Sequence, residues 1–176
     1  MPDHRGGVYL IAAIRTLYLP KGAREPRPFC SVGSASGAAC LAPDGSLLLG
    51  HGKTVTRVAK DGTFTVIADG FGQVFGIAVD LKGTLFVSDW ENGNVQRIQD
   101  PGTPKAKRTT IAQGLEFPSG LALDKKGALY IKESGRMTNR DATIRRITFE
   151  SGKPTLTLYA TIPTISRWRS PSPKQG

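Results

Sequence analysis

The chain is expected to be all-β, a β-propeller of four-stranded antiparallel blades that forms an incomplete ring. Three observations predict this class. A short β-like block recurs three times at a spacing of roughly 40 residues, the signature of a blade-type repeat. Each copy is punctuated by turn glycines, such as Gly45, Gly83 and Gly127. Capping boxes with apolar helical periodicity are absent, so little helix is expected.

The two clearest copies run in parallel. Phe75-Gly76-Ile77-Ala78-Val79-Asp80, then Gly83-Thr84-Leu85-Phe86-Val87-Ser88-Asp89, matches Ser119-Gly120-Leu121-Ala122-Leu123-Asp124, then Gly127-Ala128-Leu129-Tyr130-Ile131-Lys132-Glu133. A weaker first copy reads Ala38-Ala39-Cys40-Leu41-Ala42, then Gly45-Ser46-Leu47-Leu48-Leu49-Gly50-His51. The turn glycines stand 38 and 44 residues apart, and the longer third copy carries an insertion at 135–141.

Four extended segments are read in each copy: 38–41, 46–49, 55–59 and 64–68, then 76–79, 84–88, 95–99 and 109–112, then 120–123, 128–132, 143–148 and 156–160. Asp44-Gly45, Lys82-Gly83 and Lys126-Gly127 supply the positive φ of tight hairpin turns. The first segment of each copy is apolar almost throughout, as in a strand buried on both faces. The third segments alternate. These copies define blades at 38–73, 74–117 and 118–163. Residues 1–37 read as an irregular segment or part of a degenerate blade. Residues 164–176 read as a disordered basic Ser/Pro tail.

Composition narrows the partners. The chain has 24 basic and 14 acidic residues, a net charge of +10. The excess lies outside 31–100, which carries 5 bases and 7 acids. The basic residues are scattered through turns and no nucleic-acid motif is present, so nucleic acid is not the expected partner. No apolar run reaches the length of a membrane-spanning helix. Val8 to Ile14 is apolar, but it is short, ends at Arg15 and has no clear cleavage site. It reads as a strand rather than a signal peptide, and a soluble chain is expected. Cys30 and Cys40 are too few for a disulfide framework. Cys40 reads as a small buried residue, and a Cys30–Cys40 bridge is compatible with the sequence.

On these residues the run FGIAVDLKGTLFVSDWENGNVQRI, 75–98, resembles a unit of the NHL-repeat propellers and of the wider senescence-marker/gluconolactonase-like superfamily. The likeness covers about 38–163. It implies a six-bladed ring, which takes roughly 250 residues or more. Three arrangements remain open: a piece of a longer propeller with its remainder missing, two half-rings that self-associate, or a small four-bladed ring completed by 8–37. The superfamily includes lactonases, lyases and binding modules, so the likeness bears on fold more than on activity.

Aligning the copies places His51, Asp89 and Glu133 in one column, six positions after each turn glycine. Because antiparallel strands reverse direction, the connectors before the first strands reach the same rim. That rim gathers His51, Asp89, Glu91, Asn92, Glu116, Glu133 and Asp141 as candidate ligands. Oxygen donors with an occasional imidazole suit a divalent cation such as calcium. In a gluconolactonase-like enzyme such an ion would polarise a lactone carbonyl. The competing reading is that Asp89 and Glu133 cap turns by accepting backbone N–H groups, and that His51 is a turn residue. Trp90 is a candidate for stacking a sugar ring, or for packing between blades. Arg57, Arg97 and Arg146 form a second column read as structural braces. The leading expectation is a scaffold that binds a small polar ligand or a protein. The alternatives are a metal-dependent hydrolase of sugar lactones and a portion of a quinone-dependent sugar dehydrogenase.

Overall fold

The computed structural model describes residues 1–3, 5–12, 15–31, 36–134, 141–150 and 152–162. The expected tail at 164–176 and the insertion at 135–141, apart from Asp141, lie outside the described residues. Among those described, every element is a strand.

Strands β1 (Val8–Ala12), β2 (Arg15–Leu19) and β3 (Arg27–Ser31) form an N-terminal three-stranded sheet. The first blade is β4 (Ser36–Leu41), β5 (Leu47–His51), β6 (Thr54–Val58) and β7 (Phe64–Ala68). The second is β8 (Val74–Val79), β9 (Leu85–Asp89), β10 (Asn94–Gln99) and β11 (Lys107–Ala112). The third is β12 (Pro118–Leu123), β13 (Leu129–Glu133), β14 (Ala142–Glu150) and β15 (Lys153–Ile162). All pairings are antiparallel and sequential, and the fold is a partial propeller whose ring is open.

One turn recurs between the first and second strands. Asp80 Oδ1 accepts the N–H groups of Lys82 (2.9 Å) and Thr84 (2.8 Å). Asp124 Oδ1 does the same for Lys126 (2.8 Å) and Ala128 (2.9 Å). Gly83 and Gly127 then take φ of 83°, where a Cβ is disfavoured. The same turn stands near the N-terminus. Asp3 Oδ1 accepts Arg5 N–H (2.8 Å) and Gly7 N–H (2.6 Å), and Gly6 has φ 85°. Pro2 bridges Val8 as Val79 pairs with Leu85.

The segment 1–37, read from sequence as irregular or as part of a degenerate blade, therefore carries three strands. They correspond to the second, third and fourth strands of a blade. Residues 1–3 stand at the end of its innermost lane. Its prolines hid the pattern, yet Pro28 falls on β3, an edge strand, where a missing N–H is tolerated.

The core lies between sheets. Tyr9, Leu47, Leu49 and Val58 join the N-terminal sheet to the first blade. Leu48, Val55, Ile77, Leu85 and Val87 join the first to the second. Phe86, Val95, Leu129, Ile131 and Ile147 join the second to the third. Each such side chain contributes about 1.5–3 kcal/mol through burial.

The innermost strands β4, β8 and β12 lie side by side. Their approach is closest at Gly76, where a Cβ would sit 1.8 Å from the Ser119 carbonyl oxygen of the next blade. Ser88 Oγ donates to that same oxygen at 2.7 Å. Burial departs from the expected pattern, because the second strands are the most enclosed. Every residue of β9 is buried, while β12 alternates with exposed positions. The second blade, which holds β9, is packed between two others, whereas among the described residues the third blade, which holds β12 and β13, has a neighbour on one face only. The outer strand β15 is exposed along nearly its whole length.

Candidate functional site

The rim expected from the repeat is where the second strands end and the inter-blade connectors arrive. Asp89 closes β9 and is fully buried. Its oxygens accept Gly72 N–H (2.9 Å), Gln73 N–H (3.1 Å), Asn92 N–H (3.2 Å) and Asn92 Nδ2–H (2.7 Å). Burial alone would raise this carboxyl, but the donors from Gly72, Asn92 and Gln73 hold it below its ordinary value. The carboxylate thus fastens the connector from the first blade and the β9–β10 turn to one point.

Glu133 does the same one blade later. It is buried at the end of β13, and its Oε1 accepts Glu116 N–H at 2.9 Å. Its Oε2 accepts Thr143 Oγ1–H (2.6 Å) and Arg145 Nε–H (2.7 Å). Burial opposes ionisation here too, and Thr143, Arg145 and Glu116 together bring the carboxyl below its usual range. His51, third in the column, is half-buried with Nε2 2.8 Å from Thr56 Oγ1. Burial lowers its pKa, favouring the neutral ring.

Glu91 and Asn92 lie exposed in the β9–β10 turn, Glu116 lies in the β11–β12 connector, and Asp141 stands just before β14. Among the described residues, no group of three His, Cys, Asp or Glu side chains is arranged to hold a metal ion.

Trp90 packs between two phenylalanines. Its ring lies 5.5 Å from Phe75 and 4.6 Å from Phe117. Phe117 adopts φ 52°, a conformation that costs a bulky residue about 1–3 kcal/mol. Sequence reasoning missed Phe75, Phe117 and Arg145. The first two could have been found as aromatics flanking the aligned rim, and Arg145 as a strand partner of the column.

The arginine column lies on the other side of the sheets. Arg57 Nη1 stands 3.8 Å from Asp44 Oδ2. The Arg97 guanidinium lies over Phe149 of the next blade at 5.7 Å. Arg146 lies over Tyr130 at 5.9 Å. Cys30 and Cys40 are both free thiols, so no bridge joins them.

No protein-family model matches the chain, and no curated protein sequence matches it. Solved structures do. A nidogen/laminin complex matches with a TM-score of 0.71 at 17% identity, covering 88% of this chain and 61% of that one. A putative gluconolactonase matches at 0.69 and 18%, covering 92% and 63%. A virginiamycin B lyase from Staphylococcus aureus matches at 0.68 and 20%, covering 94% and 55%.

These likenesses establish the fold: the chain is a partial β-propeller, similar in structure to gluconolactonase-like, lyase and nidogen propellers. It spans between 55% and 63% of the length of those three chains. Among the described residues no helix is long and apolar enough to cross a membrane.

Proposed function

We propose that the chain is a recognition arc of a β-propeller scaffold, presenting a braced rim to a small polar ligand or a protein. One observation supports this reading above the rest. Asp89 and Glu133, the acids best placed to ligate a cation, have turned their oxygens onto backbone N–H groups and neighbouring side chains. A carboxylate held this way braces loops, and the side chains it presents then do the binding. Similar folds serve a lyase, a gluconolactonase and a two-protein complex, so the fold leaves the choice to the site.

Among the described residues, no element covers the outer face of the N-terminal sheet or that of the third blade. Further blades, or a second copy of the chain, would cover them. A lactonase-like reaction would require the two carboxylates to exchange these donors for a calcium ion.

Thermal unfolding and light scattering of the full chain, with and without calcium, test the proposal. The scaffold reading expects a melting temperature that ignores millimolar calcium. A rise with calcium concentration, following ligand linkage, together with turnover of a sugar lactone, would replace it with the hydrolase. A discrete dimer would identify the second copy as the covering partner.

A further inference from the structure

We propose a second binding site on the opposite side of the arc from the rim. It is the groove between the turns that precede β9 and β13, and its ligand is an amphiphilic carboxylate. The groove has a volume of about 720 Å³, within the range of small-molecule sites. Its apolar wall includes Phe86 and Phe149, whose rings stand 6.1 Å apart. Leu81 lies at the mouth and is 94% exposed. Its charge is unbalanced, with Lys82, Arg97, Lys125 and Lys126 against Asp80 and Asp124.

Arg97 is the centre of the argument. Its Nε is buried without a hydrogen-bond partner, as are those of Arg57 and Arg146, and its guanidinium lies 5.7 Å from the centroid of the Phe149 ring. Among the described residues no carboxylate lies within 4.0 Å of its nitrogens as an ion pair. Asp80 and Asp124, the two acids present, direct Oδ1 into their own turns. A guanidinium recognises a carboxylate through paired N–H donors, and Arg97 is half-buried, so water screens such a pair only in part. The neighbouring apolar wall would take the ligand's tail.

An equivalent groove between the N-terminal sheet and the first blade serves as an internal control. It measures about 640 Å³ and balances Asp3, Asp44 and Asp61 against Arg5, Arg27 and Lys60. There the position of Arg97 is held by Tyr18, paired with Tyr9 as Arg97 is with Phe86. The Tyr18 hydroxyl donates to Asp3 Oδ2 at 2.7 Å. At this position the one cleft holds a tyrosine hydrogen-bonded to an acid, with formal charges in balance, and the other holds an arginine, with cations in excess.

The test is titration of the full chain with octanoate, octanol and acetate, followed by calorimetry and by amide chemical shifts. Octanoate is expected to shift Lys82 and Gly127, with the other two probes about tenfold weaker or more. Arg97→Gln should weaken octanoate by about tenfold or more, the scale of a charged hydrogen bond. Lys126→Gln lies on an exposed turn and keeps the test available if Arg97→Gln unfolds. It should weaken octanoate about twofold to threefold, as an exposed charge does. Equal binding of octanol, equal binding of acetate, or two folded variants that bind octanoate like the parent would each overturn the proposal.

Discussion

Replacing Gly76 with alanine puts a methyl carbon 1.8 Å from the Ser119 carbonyl oxygen, well inside contact distance. The obstacle is backbone, so relief requires the second and third blades to move apart. That separation also strains the Ser88 Oγ hydrogen bond to the same oxygen. Overpacking typically costs about 1–3 kcal/mol, and the bond adds about 0.5–1.5, so about 3 kcal/mol is expected. Against a typical domain stability of about 5–15 kcal/mol, this is a large fraction.

Gly120 occupies the same place in the third blade, but its nearest neighbour is Lys132 Cβ at 3.9 Å. Alanine there makes an ordinary van der Waals contact, and restricting the unfolded chain should stabilise by about 0.4–1 kcal/mol. Urea unfolding of both variants, with mass followed by light scattering, measures the contrast. A harmless Gly76→Ala would refute the described packing of the second blade on the third. A Gly120→Ala as costly as Gly76→Ala would show that this face is covered in solution.

Further outcomes follow from the rim and the core. Asp89→Ala should destabilise by about 3–5 kcal/mol, because three backbone N–H groups lose their acceptor at about 1–3 kcal/mol each with partial relief from water. Asp89→Asn, which keeps one oxygen, should cost less. Equilibrium unfolding of the pair would contradict the bracing role if Asp89→Ala cost under about 1 kcal/mol. The carboxyls of Asp3, Asp44, Asp61, Asp89, Asp124 and Glu133 all lie below their ordinary values in the fold. Their unfolded forms bind protons first as pH falls, so the stability they contribute is complete above the unfolded pKa values. It should drain away below about pH 4, and a melting temperature flat from pH 6 to pH 3 would contradict this. Burial pushes the Cys40 thiol to about 12. Native Cys40 should therefore resist alkylation at pH 8 and react only on unfolding, as mass spectrometry of the labelled protein would record.

The strand plan was legible because backbone chemistry marks it locally. Asp80 and Gly83 announce their turn, and the alternating hairpins follow. The N-terminal sheet was legible only as one alternative, part of a degenerate blade, although Asp3 and Gly6 reproduce that turn. Pro20, Pro26 and Pro28 obscure the strands after it.

The convergence of column and connector was also readable, since antiparallel strands fix which ends meet. The use made of Asp89 was not. A buried carboxylate that ligates a cation and one that gathers three backbone N–H groups have the same residue in the same place. Only the path of Gly72 and Gln73 distinguishes them. Likewise the column arginines were visible, but the absence, among the described residues, of a carboxylate ion-paired with Arg97 is a fact of three-dimensional placement.

The outer strand β15 carries a further consequence. From Thr155 to Ile162 the sequence TLTLYATI contains no charge and no proline. It is an edge strand on which Leu158 and Tyr159 are 57% and 59% exposed. A long, uncharged edge of high β propensity is a template for adding strands from other molecules. Natural sheets blunt such edges with an inward charge or a proline, and within 155–162 this strand has neither. Intermolecular cross-β growth would therefore begin at β15, and a single lysine at Leu158 is the substitution that would interrupt it.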